Sequence, residues 1–99
     1  RGFVYILKCS DGSFYTGSTT DLQRRIWQHE NGEGANYTKS RRPVQLLYVE
    51  EFERIDAAFN REKQIQGWSR VKKQALIDRQ PHKLHELAEC RNQTRSNNE

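Results

Sequence analysis

The chain has 99 residues, enough for one domain and too few for two cores of ordinary size. A hydrophobic fraction of 33% points to a thin core with an unstructured end, and 17 Lys and Arg against 13 Asp and Glu leave a formal charge of +4. That balance suits an anionic partner, nucleic acid before membrane, because no basic amphipathic stretch is visible and no run approaches the ~20 apolar residues that span a bilayer.

No signal-peptide pattern precedes the first strand, and Cys9 and Cys90 lack the spacing of a CxxC or Cys/His metal site. Both cysteines are expected to be reduced, in a cytoplasmic protein that would be nucleoid-associated in a bacterium.

Residues 3–9, FVYILKC, and 14–18, FYTGS, are short and rich in strand formers, with Ser10, Asp11, Gly12 and Ser13 between them. They read as a β-hairpin with two candidate registers. A two-residue Asp11-Gly12 turn makes paired residue numbers sum to 23 and sends Tyr5 and Tyr15 to opposite faces. A three-residue loop with Gly12 left-handed at a bulge makes them sum to 22 and puts both tyrosines on one face.

A helix opens at Thr20-Asp21-Leu22-Gln23, where Thr20 can cap, Gln23 can reach back and Asp21 sits in the first turn. It runs to about Glu30 and stops at Asn31-Gly32. At 100° per residue Leu22, Arg25, Ile26 and His29 fall within roughly 100° of one another, so Arg25 and His29 border the face that packs on the hairpin. Residues 32–43 form a loop or a short helix carrying Lys39, Arg41 and Arg42 ahead of Pro43, and 44–52, VQLLYVEEF, reads as a third strand.

A second long helix spans about 55–66, with a stripe of Ile55, Ala58, Phe59 and Ile65 and with Glu62 near its centre. A carboxylate on the buried side of a helix is costly unless paired, protonated or bound to a metal, which singles out Glu62. Gly67 ends this helix, and Ser69 can cap a third that carries Val71, Ala75, Leu76 and Ile77 with Arg70, Lys72 and Lys73 in its first turns. The expected organisation is one domain over residues 1–80, a short C-terminal helix over 81–90 and a disordered tail over 91–99. Its fold class is α/β, a small, mostly antiparallel three-stranded sheet surrounded by helices, hairpin first.

In this order, Val4-Tyr5-Ile6, Tyr15-Thr16-Gly17, Arg25, His29 and Glu62 resemble the signature of the GIY-YIG nuclease superfamily. The small single-domain branch, similar to UvrC N-terminal and SLX-type nuclease domains, is the nearer likeness, with Arg61 to Ile65, Trp68 and Lys72-Lys73 also matching. Phe3 stands where the name-giving glycine of the first motif would be, and Ser18 where some relatives carry a lysine.

The resemblance implies a divalent-metal-dependent endonuclease acting on DNA, structure-preferring and working in repair or recombination. Glu62 would hold a single Mg²⁺ or Mn²⁺, and Arg25 would donate to the non-bridging phosphate oxygens. Tyr5 would stand beside the attacking water, as general base if its phenol is held partly ionised with a pKa well below 10, with His29 and Tyr15 helping proton transfer. Sequence does not rank Tyr5 against His29 as the base. Gly17 is a structural motif residue. Lys39, Arg41, Arg42, Arg70, Lys72 and Lys73, with Tyr37 and Trp68 nearby, suit a phosphate-tracking surface.

Each of these residues has a plainer use: tyrosines as strand aromatics, Arg25 and Glu62 as an ion pair, His29 as a helix-dipole partner. Two further readings stay open, a nucleic-acid-binding module without turnover and a nuclease subunit that needs a partner protein. Nothing resembles a base-reading helix, so branched or nicked DNA is the expected partner rather than a particular sequence.

Overall fold

Gly2 through Leu7 are all buried, a run that only the middle strand of a sheet covered on both faces accepts. The computed structural model, which describes residues 1–79, shows this strand, β1 (Gly2–Lys8), at the centre of an antiparallel sheet. β2 (Phe14–Thr19) lies on one side and β3 (Gln45–Phe52) on the other, in the order β2-β1-β3. The helices are α1 (Leu22–Glu30), a short α2 (Asn36–Lys39), α3 (Ile55–Gln66) and α4 (Arg70–Asp78). The helix expected over 81–90 and the tail over 91–99 lie outside the described residues. The expected α/β class and hairpin-first order hold.

The hairpin adopts the second of the two registers. Tyr5 faces Gly17 and Leu7 faces Tyr15, every pair summing to 22. Gly12 has φ +86°, its N–H donates to the Cys9 carbonyl at 2.9 Å, and the Cys9 N–H donates to the Ser13 carbonyl at 2.8 Å. Only a residue tolerant of positive φ closes this loop, and the register follows from it. On the other side of β1, pairing with β3 shifts by one residue at Leu47, which the ladder skips between Ile6↔Tyr48 and Leu7↔Leu46.

Alternation along β1 splits the core in two. Phe3, Tyr5 and Leu7 pack with Val49 beneath Leu22 and Ile26 of α1. Val4 and Ile6 pack with Tyr48 beneath Ala58 and Ile65 of α3, and Leu76 and Ile77 of α4 join them from the side.

Two local expectations are corrected. Asp21, not Thr20, caps α1: its carboxylate accepts the Arg24 N–H at 3.2 Å, and the Thr19 hydroxyl accepts the Asp21 N–H at 3.1 Å. The chain leaves β2 one residue later than a Thr20 cap requires, and Asp serves the purpose equally well. In α3 the buried line is Ala58 and Ile65 alone, while Ile55 and Phe59 are exposed. Phe59 stands 100° from Ala58 around the helix, beyond the sector that meets the sheet, and Ile55 lies at its outer end. The half-buried Arg61 and Glu62 flank the buried line on either side.

Candidate active site

On the α1 side of the sheet, Tyr5 and Tyr15 project from neighbouring strands with ring centroids 6.5 Å apart. His29, one helical turn beyond Arg25, is fully buried between them, its ring 5.6 Å from Tyr5 and 5.2 Å from Tyr15. The Tyr5 hydroxyl lies 2.8 Å from His29 Nε2, and His29 Nδ1 lies 2.8 Å from the Thr38 hydroxyl. Arg25 is half-buried, bonded to Gln28 Oε1 at 2.9 Å, and its charge lies beside both phenols. Gly17 makes the Tyr5 position possible: a Cβ there would stand 2.4 Å from the Tyr5 oxygen.

Burial pushes the Tyr5 pKa up to about 12 in spite of the opposing Arg25 charge, and it raises Tyr15 as well. The expectation of a phenol held partly ionised is therefore corrected, since loss of solvent outweighs one neighbouring cation. Burial, with the Arg25 charge second, holds His29 down at about 4. Near neutrality the pair is a neutral phenol hydrogen-bonded to a neutral imidazole.

Glu62 arrives from the opposite layer. It leaves α3 on the flank nearest β2, where the Ser18 hydroxyl donates to Oε1 at 2.5 Å and the Gln66 amide to Oε2 at 2.7 Å. Gln66 also donates to the Thr16 carbonyl at 3.3 Å, tying the end of α3 to the edge strand. Among the described residues no Lys or Arg forms an ion pair with Glu62, so the structural pairing with Arg25 is not made. The carboxylate is still near enough to both tyrosines to oppose their ionisation. Four groups from one face and one from the other thus meet around the rim formed by β2.

The family model for the GIY-YIG catalytic domain matches residues 1–75. The chain belongs to the GIY-YIG family. It is 53% identical over 77 residues to a UPF0213 protein of Staphylococcus saprophyticus, which covers 78% of this chain and 94% of that protein. A UPF0213 protein of Haloquadratum walsbyi is 51% identical over 76 residues, 77% of this chain and 85% of the relative. Among solved structures, the solution NMR structure of a UPF0213 protein of Bacillus halodurans matches with a TM-score of 0.55 at 37% identity, covering 93% of this chain and 98% of the other. The NMR structure of an Enterococcus faecalis protein matches with a TM-score of 0.53 at 29% identity, covering 96% and 93%.

The GIY-YIG family is a nuclease family, and in this member Tyr5, Tyr15, Arg25, His29 and Gly17 lie together with Glu62 across the rim. The basic residues are spread more widely. Arg41 is held by Asp11 at 3.1 Å and the Tyr37 carbonyl at 2.9 Å, and its guanidinium lies over the Tyr37 ring at 3.9 Å. Arg42 donates to the Lys39 carbonyl at 3.1 Å. Tyr37, which is itself exposed, also stacks on Tyr15 with ring centroids 5.9 Å apart.

On the α3 side, Arg70 lies over Phe14 at 4.2 Å and Lys72 over the half-buried Trp68 at 4.3 Å, which Arg61 also approaches. Lys39 is exposed and Lys73 half-buried. Sequence reasoning missed Thr38, Gln66 and the seating role of Ser18. The signal for Thr38 was faint: a small hydroxyl nine residues after His29, in a segment read as loop or short helix.

Proposed function

We propose that this GIY-YIG domain is a divalent-metal-dependent endonuclease that hydrolyses DNA phosphodiester bonds, preferring nicked, flapped or branched DNA, in repair or recombination. The observation that carries the reading is the 2.8 Å contact of the Tyr5 hydroxyl with His29 Nε2 beside the Arg25 charge. Tyr5 has a proton acceptor in His29 and a nearby cation in Arg25, which is what a phenol needs to relay a proton without first becoming a free phenolate. As water attacks phosphorus, its proton passes to the Tyr5 oxygen while the Tyr5 proton passes to His29 Nε2. Arg25 exchanges Gln28 for the non-bridging phosphate oxygens, to which its planar fork is suited.

Glu62 fits a hard divalent ion: it is a half-buried carboxylate whose two oxygens meet only neutral donors, Ser18 and Gln66, among the described residues. Among the described residues no group of three His, Cys, Asp or Glu side chains stands ready to hold a metal, so Glu62 would hold the ion together with water and phosphate oxygens. When bound, Mg²⁺ or Mn²⁺ supplies Lewis-acid charge at the phosphate and the leaving oxygen. Lys39, Arg70, Lys72 and Lys73 would follow the phosphate backbone, giving salt-dependent binding without sequence choice. Among the described residues no helix is long and apolar enough to cross a membrane.

The test is cleavage of end-labelled single-stranded, duplex, nicked, flap and branched DNA in Mg²⁺, Mn²⁺ or EDTA, with wild type, Glu62→Ala and Arg25→Ala. Cutting that needs metal and disappears in both variants supports the reading, and the best substrate defines the preference. DNA that is bound yet intact in every condition refutes it for the isolated chain and points to a binding module or a subunit with a partner.

A further inference from the structure

The relay from Tyr5 to His29 has a direction only if His29 Nε2 carries no proton of its own. Neutral imidazole has two tautomers, and one of them blocks the relay, because an Nε2–H would donate to Tyr5 instead of accepting from it. The neighbourhood of Nδ1 decides between them. Thr38 is fully buried in α2, with its hydroxyl 2.8 Å from His29 Nδ1 and 3.0 Å from the Ala35 carbonyl oxygen. The 32–35 loop closes over the same nitrogen: a Cβ on Gly34 would stand 2.3 Å from Nδ1.

The hydroxyl has one proton and two neighbours, and the Ala35 carbonyl can only accept. We propose that Thr38 is a positioning residue that holds His29 in the Nδ1–H tautomer and so keeps Nε2 open to the Tyr5 proton. In that state Nδ1–H donates to Thr38, Thr38 donates to Ala35 and Tyr5 donates to Nε2, three hydrogen bonds with every donor placed. In the other state Thr38 must turn to Nδ1 and forsake Ala35, while Nε2–H donates to Tyr5 and the Tyr5 proton loses its acceptor. Two bonds replace three in a buried site, where an unmade bond is costly.

This inference rests on the endonuclease reading for its purpose but not for its test. Long-range ¹H–¹⁵N correlation of the labelled full chain near pH 7, without DNA or metal, reports which nitrogen of His29 is protonated; His29→Asn identifies its signals among the three histidines. Nδ1 protonated and Nε2 bare is the expected result, and Nε2 protonated overturns the proposal. Thr38→Val keeps shape and removes the acceptor; it should shift the population towards Nε2–H and slow cleavage by about tenfold to hundredfold, mainly in kcat. Thr38→Ser should restore both. A Val variant that retains the Nδ1–H form and full turnover overturns the proposal. If the wild-type chain cuts no DNA, the endonuclease reading fails by itself, and the tautomer still decides the role of Thr38.

Discussion

Gly17→Ala tests how tightly the site is drawn, because the added methyl carbon would lie 2.4 Å from the Tyr5 oxygen and 2.6 Å from Cζ. Ordinary contact begins near 3.4 Å, so the phenol has to retreat by about 1 Å. A retreat of that size breaks a 2.8 Å bond to His29 Nε2 and leaves a buried hydroxyl without its acceptor. Overpacking costs about 1–3 kcal/mol and the lost bond a similar amount, giving an expected destabilisation of about 2–6 kcal/mol. Urea unfolding measures it, and cleavage by the still-folded fraction should fall at least about a hundredfold if Tyr5 relays the proton. Tyr5→Phe removes the nearest atom, so the double variant should recover about 1 kcal/mol relative to additivity. Recovery is partial because Cζ remains within the clash. A Gly17→Ala chain as stable and active as wild type would refute the placement of Tyr5 over Gly17.

His29 makes stability depend on pH with a defined sign. Its folded pKa, about 4, lies below the ordinary 6.5, so the unfolded chain binds more protons between these values and stability falls as pH drops from 6.5 towards 4. The loss is on the order of 3 kcal/mol, and His29→Asn should flatten the unfolding free energy measured across that interval. Thr16 carries a buried hydroxyl with no hydrogen-bond partner among the described residues, so Thr16→Val should stabilise the chain by about 1 kcal/mol in urea unfolding. Arg41 joins the hairpin loop to α2, so Arg41→Ala should cost about 1 kcal/mol of stability while changing the salt dependence of DNA binding less than Lys72→Ala does.

The parts of this fold visible in the sequence are those fixed by local backbone chemistry. Ser10-Asp11-Gly12 allowed only two registers, and the left-handed Gly12 selects the one that joins Tyr5 to Tyr15. The four-residue spacing of Arg25 and His29 put them on one flank of α1 whatever the cap, so moving the cap from Thr20 to Asp21 cost the site nothing. Glu62 stood out because a carboxylate near an apolar stripe requires a reason.

What stayed hidden depends on distance between elements. The exposure of Ile55 and Phe59 reflects how α3 lies on the sheet, which helical periodicity does not encode. The bonds of Arg41 and Arg42 to the hairpin loop and to neighbouring carbonyls were equally invisible. Neither the Tyr5 pKa nor Thr38 could be read without knowing what surrounds the pair.

Gln66 has a second consequence, for assembly rather than chemistry. The bond from the Cys9 N–H to the Ser13 carbonyl sets the phase of the hairpin ladder, so the Thr16 carbonyl points away from β1, towards the side of β2 that is unpaired among the described residues. An open strand side is a template on which a strand of another molecule can add and begin aggregation. The Gln66 amide covers that carbonyl while it holds Glu62, so a strand adding there must first pull Gln66 away. Misassembly along β2 would then loosen Glu62 as well, leaving its carboxylate to the Ser18 hydroxyl alone.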